Sequence, residues 1–572
     1  MDDLPEPLRP RRPRADRALA VSVLVASVLW GGCPGPEDQG SGDEGRPAPS
    51  TPLVVVGIDG ATWEVIDPMI DRGELPNIAA LRENGAVSDL LVLPPLSSPA
   101  VWTTYMTGHF PRRHGILDHT FPYSPGPKRR VTSTLRREPT LWNLASRFGQ
   151  RSGIFGYYAT HPVEQVDGVM VSDRADQLDT GGVYPQALES RVRSVIDRLA
   201  EPEALRRLRA LYFPEPYSPK TASRPGSPFA DVLQSVRRLD RGLRHEAFVT
   251  ETALETLADS FAPDGERFDL FVVYLRMTDV TCHTTWLYYD DSAFEEKSTP
   301  DMRDLLGDCL PESYRQADAF LGRLIDTLDA GYGPSGYNLV ALSDHGCGPA
   351  IGRYAIGRKG LSHLSGNHYA NGIVLTRGPD LARGRLPRTD HMDIMPTLLA
   401  LAGLPLSDEL PGRIHEPLLR PGLLEERRVR RAPAYRLTWR TADAGEAVDG
   451  AESEELAALE ALGYVDSGTA VATSRGGTAG YDFWEAEERL MNGALLGEAM
   501  FHLMRGDLEA HRELSAEVAA HRPDFARHYP RVTRNWLDLW QRSFDEPLVT
   551  DEVRATLDSE VRRLRQASRA EP

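Results

Sequence analysis

Short runs of consecutive apolar residues that stop at a polar group recur along this chain. Leu53–Ile58 stops at Asp59-Gly60, Leu270–Leu275 runs on to Thr278 and Asp279, and residues 337–342 precede Ser343, Asp344 and His345. Residues 153–158, 169–171 and 372–376 are similar runs. An unbroken apolar run, without the alternation of a half-solvated strand, suits a strand buried on both faces of a parallel sheet. Between these runs, helical patterns cover residues 77–84, 140–148, 314–328 and 392–402. The alternation predicts an α/β fold, a doubly wound and mostly parallel sheet with helices on both faces. Ligands of such folds bind beyond the carboxyl ends of the strands. Three of the runs end near an aspartate, which points to a site there.

The pattern changes elsewhere. Residues 174–265 show long charged helical stretches and no strand-type run, and read as an insertion or cap on a catalytic domain spanning 52–435. Residues 436–480 are rich in Ala, Gly, Glu and Thr and read as a linker. Beyond residue 481, Trp484, Leu490, Leu495, Met500 and Leu503 are spaced for a helix, and Gly506-Asp507 separates it from a second. The pair suits either one tetratricopeptide-type repeat, offering a platform for a protein partner, or a helical bundle packed on the main domain.

The first residues add a compartment. Arg9, Arg11, Arg12, Arg14 and Arg17 precede an apolar run over 18–30, followed by Gly31, Gly32 and Cys33. A basic segment, a short apolar run and small residues are the layout of a signal peptide over 1–33. A cysteine directly after small residues makes it the lipoprotein type, with Cys33 as the lipidated residue, although Trp30 stands where that motif has leucine. The Gly-, Pro-, Ser- and acid-rich stretch 34–51 then serves as a tether. This reading expects export and anchoring to the bacterial envelope or periplasm. The net charge of −18 disfavours a basic face for duplex nucleic acid. The four cysteines form no CxxC pair; Cys282 and Cys309 are candidates for a disulfide in an exported chain, though spacing alone does not establish one.

The polar residues near the run ends are Asp59, Ser97-Ser98, Asp279 with His283, Asp344-His345, and His368. Aspartate and neutral histidine suit divalent metals, two such ions can clamp a phosphoryl transfer, and an ionised hydroxyl serves as its nucleophile. Taken singly, each has a plainer reading, as a helix cap, a surface pair or a structural histidine.

In order, the segments VVVGIDGATW (54–63), PPLSSPAVWTTYMTGHFPRRHGI (94–116), FVVYLRMTDVTCHTTW (271–286), LVALSDHGCGP (339–349) and SGNHYANGIVL (365–375) resemble the alkaline phosphatase superfamily, most closely its type I phosphodiesterase and nucleotide pyrophosphatase branch. DIMPTLLALAGLP (393–405) and LEALGYV (459–465) extend the resemblance to roughly residues 51–465. The resemblance implies a nucleophile ten residues before the glycine of a Thr-Gly pair; counting back from Gly108 lands on Ser98, with Ser97 as the neighbour to exclude. It also implies two divalent ions, with zinc favoured and manganese or iron acceptable. Asp59, Asp344, His345 and Ser98 would hold one; Asp279, His283 and His368 would hold the other. Ser98 would form a phospho-serine that water then resolves, on a phosphate-ester or nucleotide-like substrate.

Two departures matter. The asparagine that such pyrophosphatases carry after the nucleophile is not found in Ala100, Val101 or Trp102, so phosphate must be held by the helix start or by another side chain. The sulfatase motif is broken by Val101, where an arginine is needed. The same motifs would also serve a transferase to a lipid or glycan acceptor, and a non-catalytic surface protein could keep the fold. Of the remaining features, Arg112 and Arg113 read as an exposed charged turn, Trp102 and Tyr105 as core, and Asp318 as part of a solvated helix face.

Overall fold

The computed structural model describes residues 51–124, 127–177, 181–214, 233–295, 297–350, 365–441, 483–526, 529–541, 544 and 547–570. Cys33, the tether up to residue 50 and the 459–465 segment lie outside these residues.

The frame is a ten-stranded sheet. Its strands are β1 (Leu53–Ile58), β2 (Ala86–Leu91), β3 (Ser152–Phe155), β4 (Gly168–Val171), β5 (Val183–Tyr184), β6 (Leu270–Leu275), β7 (Asn338–Leu342), β8 (Asn371–Arg377), β9 (Gly384–Arg385) and β10 (Thr389–Asp390). The order is β9-β2-β8-β7-β1-β6-β3-β4-β5, with β10 also on β2. The five central strands, β7, β1, β6, β3 and β4, run parallel, whereas β8 is antiparallel to both its neighbours and β5 closes the other edge antiparallel.

Apart from Gly168 at the start of β4, the central strands are buried along their whole length because alternate side chains feed two separate cores. Val54, Val56, Phe271, Val273, Leu339 and Ala341 point to one face. There they meet α1 (Trp63–Asp71), α2 (Pro76–Asn84) and the long helices Leu233–Ser260 and Cys309–Tyr332. Leu53, Val55, Leu270, Val272, Val340 and Leu342 point to the other, against α3 (Ser98–Thr107), α4 (Leu141–Arg147) and Ile394–Leu401. The result is the three-layer α/β architecture expected from the apolar runs.

Several expectations are corrected. The 174–265 region contains the short strand β5. Its long helix, α5 (Leu233–Ser260), is no cap over its second half: Phe248, Val249, Ala253 and Leu257 form an apolar stripe in the core beneath the sheet. Residues 440 and 441 pair with Gln165 and Glu164, so the sheet domain reaches past residue 435. Asp318 is buried rather than solvated, and its carboxylate accepts the backbone N–H groups of Ile78 (2.7 Å) and Asn77 (3.3 Å) at the start of α2. Cys282 is bonded to Cys347, not to Cys309, which is a buried free thiol. The helix Met277–Tyr289 and the strand Gly346–Pro349 bring the Cα atoms of Cys282 and Cys347 to 6.5 Å.

The C-terminal region is helical, with α6 (Glu488–Met504), α7 (Leu508–His521), α8 (Tyr529–Trp540) and α9 (Asp551–Ala570). It packs on the sheet domain. Leu490, Met491 and Leu495 meet Ile116, Leu117 and Tyr123, while Leu496, Met500 and Phe501 meet Leu91, Leu93 and Phe110. Arg112 pairs with Glu498 (3.0 Å) and Glu517 (2.8 Å), so it docks these helices and is not an exposed turn residue. Among the described residues, no helix is long and apolar enough to cross a membrane.

Candidate active site

Strand register places the candidate residues level with one another. Ile58 is paired with Leu275, and Gly57 with Leu342, so the chains leaving β1, β6 and β7 emerge side by side. Asp59 follows β1, and its backbone N–H donates to Leu275 O (2.9 Å). Gly60 turns the chain away at φ +67°, with Asp279 Cα only 3.2 Å from where a Cβ would stand. After β6 the chain enters a helix, Met277–Tyr289, with Asp279 in its first turn and His283 one turn on. Asp344 and His345 follow β7, and Gly60 N–H donates to Asp344 Oδ1 (3.2 Å). His368 comes from a hairpin of Gly346–Pro349 with Gly366–Tyr369, in which it sits opposite Cys347.

The hydroxyl is brought in by α3, whose residues are all buried. Ser98 opens this helix, and its Oγ lies 3.5 Å from Asp59 Oδ1 and 3.5 Å from His345 Nε2. Ser97 turns the other way and donates to Asp118 Oδ1 at 2.9 Å. Of the two serines, Ser98 is therefore the one that reaches the cluster. Trp102 and Tyr105 are buried within the core of this face, and Trp102 contacts Tyr105, Tyr157 and Tyr274 edge-on. Tyr274 in turn hydrogen-bonds Asp59 Oδ2.

All seven sequence-predicted ligand positions are brought together. His345 Nε2 is 3.4 Å from Asp59 Oδ1 and 3.3 Å from Asp344 Oδ2. Asp279 Oδ1 is 3.2 Å from His283 Nε2 and 3.3 Å from His368 Nε2, and those two nitrogens are 2.7 Å apart. The rings of His345 and His368 stack at 3.6 Å. Two three-residue groups could each surround an ion: Asp279, His283 and His368, and Asp59, Asp279 and His345. Asp279 belongs to both, so the two halves are near neighbours.

The protonation pattern tests whether cations fit. His283 Nδ1 faces Gly366 O (2.9 Å), His368 Nδ1 faces Leu96 O (2.6 Å) and His345 Nδ1 faces Gly346 O (3.1 Å). A carbonyl only accepts, so each Nδ1 carries a proton, and in the neutral ring the Nε2 lone pair faces the cluster. Burial and the neighbouring His368 push the His345 pKa well below its usual value, which keeps it neutral. Three Nε2 atoms thus face three buried carboxylates. Burial, followed by Asp344 and Asp279, raises the Asp59 pKa well above the usual carboxylate range. Burial raises Asp344 to about 7. Burial also works against the charge on Asp279, but His283 and His368 more than offset it and hold this carboxyl well below the usual range. Asp279 Oδ1 and Asp344 Oδ2 are buried without a hydrogen-bond partner. Acceptors crowded in this way, short of donors, are complementary to divalent cations.

Other residues at the site were not legible in the sequence. His119 directly follows Asp118, and its Nδ1 is 2.8 Å from Tyr158 Oη. Burial lowers its pKa to about 4. Tyr158 stacks edge-on against Tyr274 (5.7 Å), so an aromatic wall runs from Asp59 to His119. Only the Asp-His dipeptide after the His-Gly motif could have hinted at it.

A buried cluster of carboxylates and imidazoles, with a hydroxyl at a helix start beyond the ends of parallel strands, is a site that could hold divalent metal ions. The chain belongs to the type I phosphodiesterase/nucleotide pyrophosphatase family, whose sequence model matches residues 53–372, more than half of the chain. Members of this family are metal-dependent hydrolases of phosphate esters. No curated protein matches the chain. Among solved structures, human ectonucleotide pyrophosphatase/phosphodiesterase 5 aligns at 13% identity over 64% of this chain and 100% of its own, with a TM-score of 0.38. The murine enzyme, inactive and in complex with AMP, aligns at 14% identity over 62% and 95%, TM-score 0.37. Phosphonoacetate hydrolase from Sinorhizobium meliloti, in complex with phosphonoformate, aligns at 17% identity over 53% and 58%, TM-score 0.32.

Proposed function

We propose that this protein is a two-metal phosphodiesterase of the nucleotide pyrophosphatase type, acting through a phospho-serine on Ser98. The observation that carries the reading is the gathering of three Nε2 atoms and three buried carboxylates in one cluster, with Ser98 Oγ 3.5 Å from both Asp59 Oδ1 and His345 Nε2. Asp59, Asp344, His345 and Ser98 would hold one ion and Asp279, His283 and His368 the other. The imidazole share favours zinc, with manganese or iron as substitutes. When bound, such ions lower the pKa of the serine hydroxyl and neutralise phosphate charge.

The chain's own residues account for the rest. Helix α3 holds Ser98 Oγ toward the cluster, where it forms a bond to phosphorus as the ester's leaving oxygen departs with its electron pair. Water then displaces Ser98 and regenerates the hydroxyl. The positive end of α3 and neutral His119 supply the phosphate-oxygen contacts that the absent asparagine would make. We further read the protein as exported and anchored through Cys33; the Cys282–Cys347 disulfide supports an oxidising compartment.

The test is elemental analysis of the purified chain with turnover of bis-p-nitrophenyl phosphate against p-nitrophenyl phosphate. The expectation is two equivalents of metal and diester turnover that Ser98→Ala and Asp344→Ala both abolish. A folded protein that takes up neither zinc nor manganese and turns over neither ester would overturn the reading. Metal uptake with turnover only when a lipid or glycan acceptor is supplied would replace it with group transfer. For anchoring, Cys33→Ala should move the protein from the membrane to the soluble envelope fraction.

A further inference from the structure

The segment that delivers Ser98 is gripped from two sides. On one side, Leu96 O accepts the Nδ1 proton of His368 at 2.6 Å. On the other lies the C-terminal helix α6. It crosses residues 94–95 so closely that a Cβ on Gly497 would stand 1.9 Å from Pro94 O, and one on Gly493 would stand 3.4 Å from Pro95 Cβ. Backbone approach of this kind needs glycine, and it fixes the height of the loop against the helix. From the same helix, Arg489 Nη2 reaches Asp118 Oδ2 at 2.8 Å. The other oxygen, Asp118 Oδ1, accepts from Ser97 Oγ (2.9 Å) and from the backbone N–H of His119 (2.9 Å).

We infer that Arg489 is a positioning residue for the hydrolytic reaction: through Asp118 and Ser97, the C-terminal helices set the direction of the Ser98 hydroxyl. The chain of contacts is Arg489–Asp118–Ser97, one peptide bond from the nucleophile. One end of the relay is exposed and the other buried: the Arg489 side chain is 67% exposed and that of Asp118 5%. Removing an exposed arginine opens no cavity, and an ion pair with one exposed partner adds little to folding stability. What it does remove is the restraint on the Asp118 carboxylate, which then holds Ser97 and the His119 amide less firmly. Attack on phosphorus depends steeply on the placement of the attacking atom, so the effect falls on kcat. The inference rests on Ser98 being the nucleophile.

The experiment compares full-length Arg489→Ala, Arg489→Lys, Asp118→Asn and the Arg489→Ala/Asp118→Asn double variant, with Ser98→Ala as control. The readouts are kcat and KM on bis-p-nitrophenyl phosphate, melting temperature, bound metal, and hydrogen exchange of peptides covering residues 92–101. For Arg489→Ala we expect kcat to fall about tenfold, as for a displacement of the nucleophile by a fraction of an ångström. KM, metal content and melting temperature should stay at wild-type values, and exchange at 92–101 should rise. Arg489→Lys restores most of kcat, and the double variant is no worse than Asp118→Asn alone, because both act through one carboxylate. Wild-type kcat in Arg489→Ala, a lysine that fails to rescue, or multiplicative losses in the double variant would each overturn the inference. If Ser98→Ala keeps full turnover, the functional reading fails instead. The exchange of residues 92–101 then still decides whether the relay exists: unchanged protection in Arg489→Ala refutes it.

Discussion

Cys282 and Cys347 form a covalent clip across the candidate centre. Cys282 precedes His283 on its helix, Cys347 lies two residues after His345, and in the hairpin Cys347 sits opposite His368. Replacing both by alanine removes a bond that closes a loop with a sequence separation of 65 residues. In the chain-entropy view this loop is worth about 4 kcal/mol of folding free energy. Both side chains are buried, at 0% and 3% exposure, so the loss of two sulfur atoms adds a small packing term in the same direction. The same clip fixes the segments bearing all three imidazoles, and supports of this kind are worth about 10- to 100-fold in metal affinity. The assay is urea unfolding of the wild type and of Cys282→Ala/Cys347→Ala, both metal-free, with chelator competition on the metal-loaded forms. The variant should unfold at clearly lower urea and release metal at lower chelator concentration. Thiol labelling of unreduced, denatured protein should modify Cys309 and spare Cys282 and Cys347. Equal unfolding midpoints with equal metal affinity would refute the account, as would labelling of all three thiols without reductant.

Three further outcomes follow from buried groups. Glu164 is fully buried and accepts from Arg136 (2.6 Å), Trp142 (3.1 Å) and Asn143 (2.6 Å); Glu164→Ala strands the arginine and should destabilise by about 3–5 kcal/mol, read by chemical denaturation. Asp318→Ala leaves the first N–H groups of α2 without acceptors and should lower stability by about 1–2 kcal/mol while sparing turnover; a loss of activity with unchanged stability would contradict the capping role. Burial depresses the pKa of His109, His161 and His391 to about 3 and of His119 and His511 to about 4. The unfolded chain binds these protons near pH 6.5 and the folded one does not, so stability of the metal-loaded protein should fall as pH drops from about 6.5 towards 4. Glu246, raised by burial to about 7, works in the opposite sense, as do the raised carboxyls of Glu64, Asp318 and Asp393, while the lowered His114 and His415 add to the five imidazoles. A melting temperature that rises between pH 6.5 and 5 would refute this.

The sheet was legible because its central strands are continuous apolar runs and each one feeds two cores. Strand β2 was not, because Ser88 and Asp89 interrupt Ala86–Leu91; Ser88 is buried there only because Pro387 O and Thr389 lie within reach of its hydroxyl. Helix α5 was misplaced for a similar reason. Its charged residues dominate the composition, while a single apolar stripe does the packing, and a stripe reveals the direction of burial only once its partner surface is known. Asp318 looked solvated because its helix is amphipathic, yet the first turn of α2 ends against it. The Cys282–Cys309 pairing failed on geometry: a sequence separation of 27 permitted it, but the hairpin brings Cys347 to Cys282 instead.

The site divides along the same line. Asp59, Asp279, His283, Asp344, His345, His368 and Ser98 were legible because each lies in a local motif: Asp59, Asp344 and His345 just beyond strand ends, Ser98 and Asp279 in the first turn of a helix, His283 one turn further on, and His368 in a hairpin strand. What aims them was not legible. Tyr274 reaches Asp59 from 215 positions away, Asp118 reaches Ser97 from 21, and Arg489 reaches Asp118 from 371. The family match ends at residue 372, before α6 begins. A motif match therefore accounts for the presence of the donors, while the direction of the Ser98 hydroxyl depends on a helix outside the matched region. Relatives that share the matched region but differ in their C-terminal helices should retain metal binding and differ in kcat, because the first depends on donors within 53–372 and the second on the contact between Gly497 and Pro94.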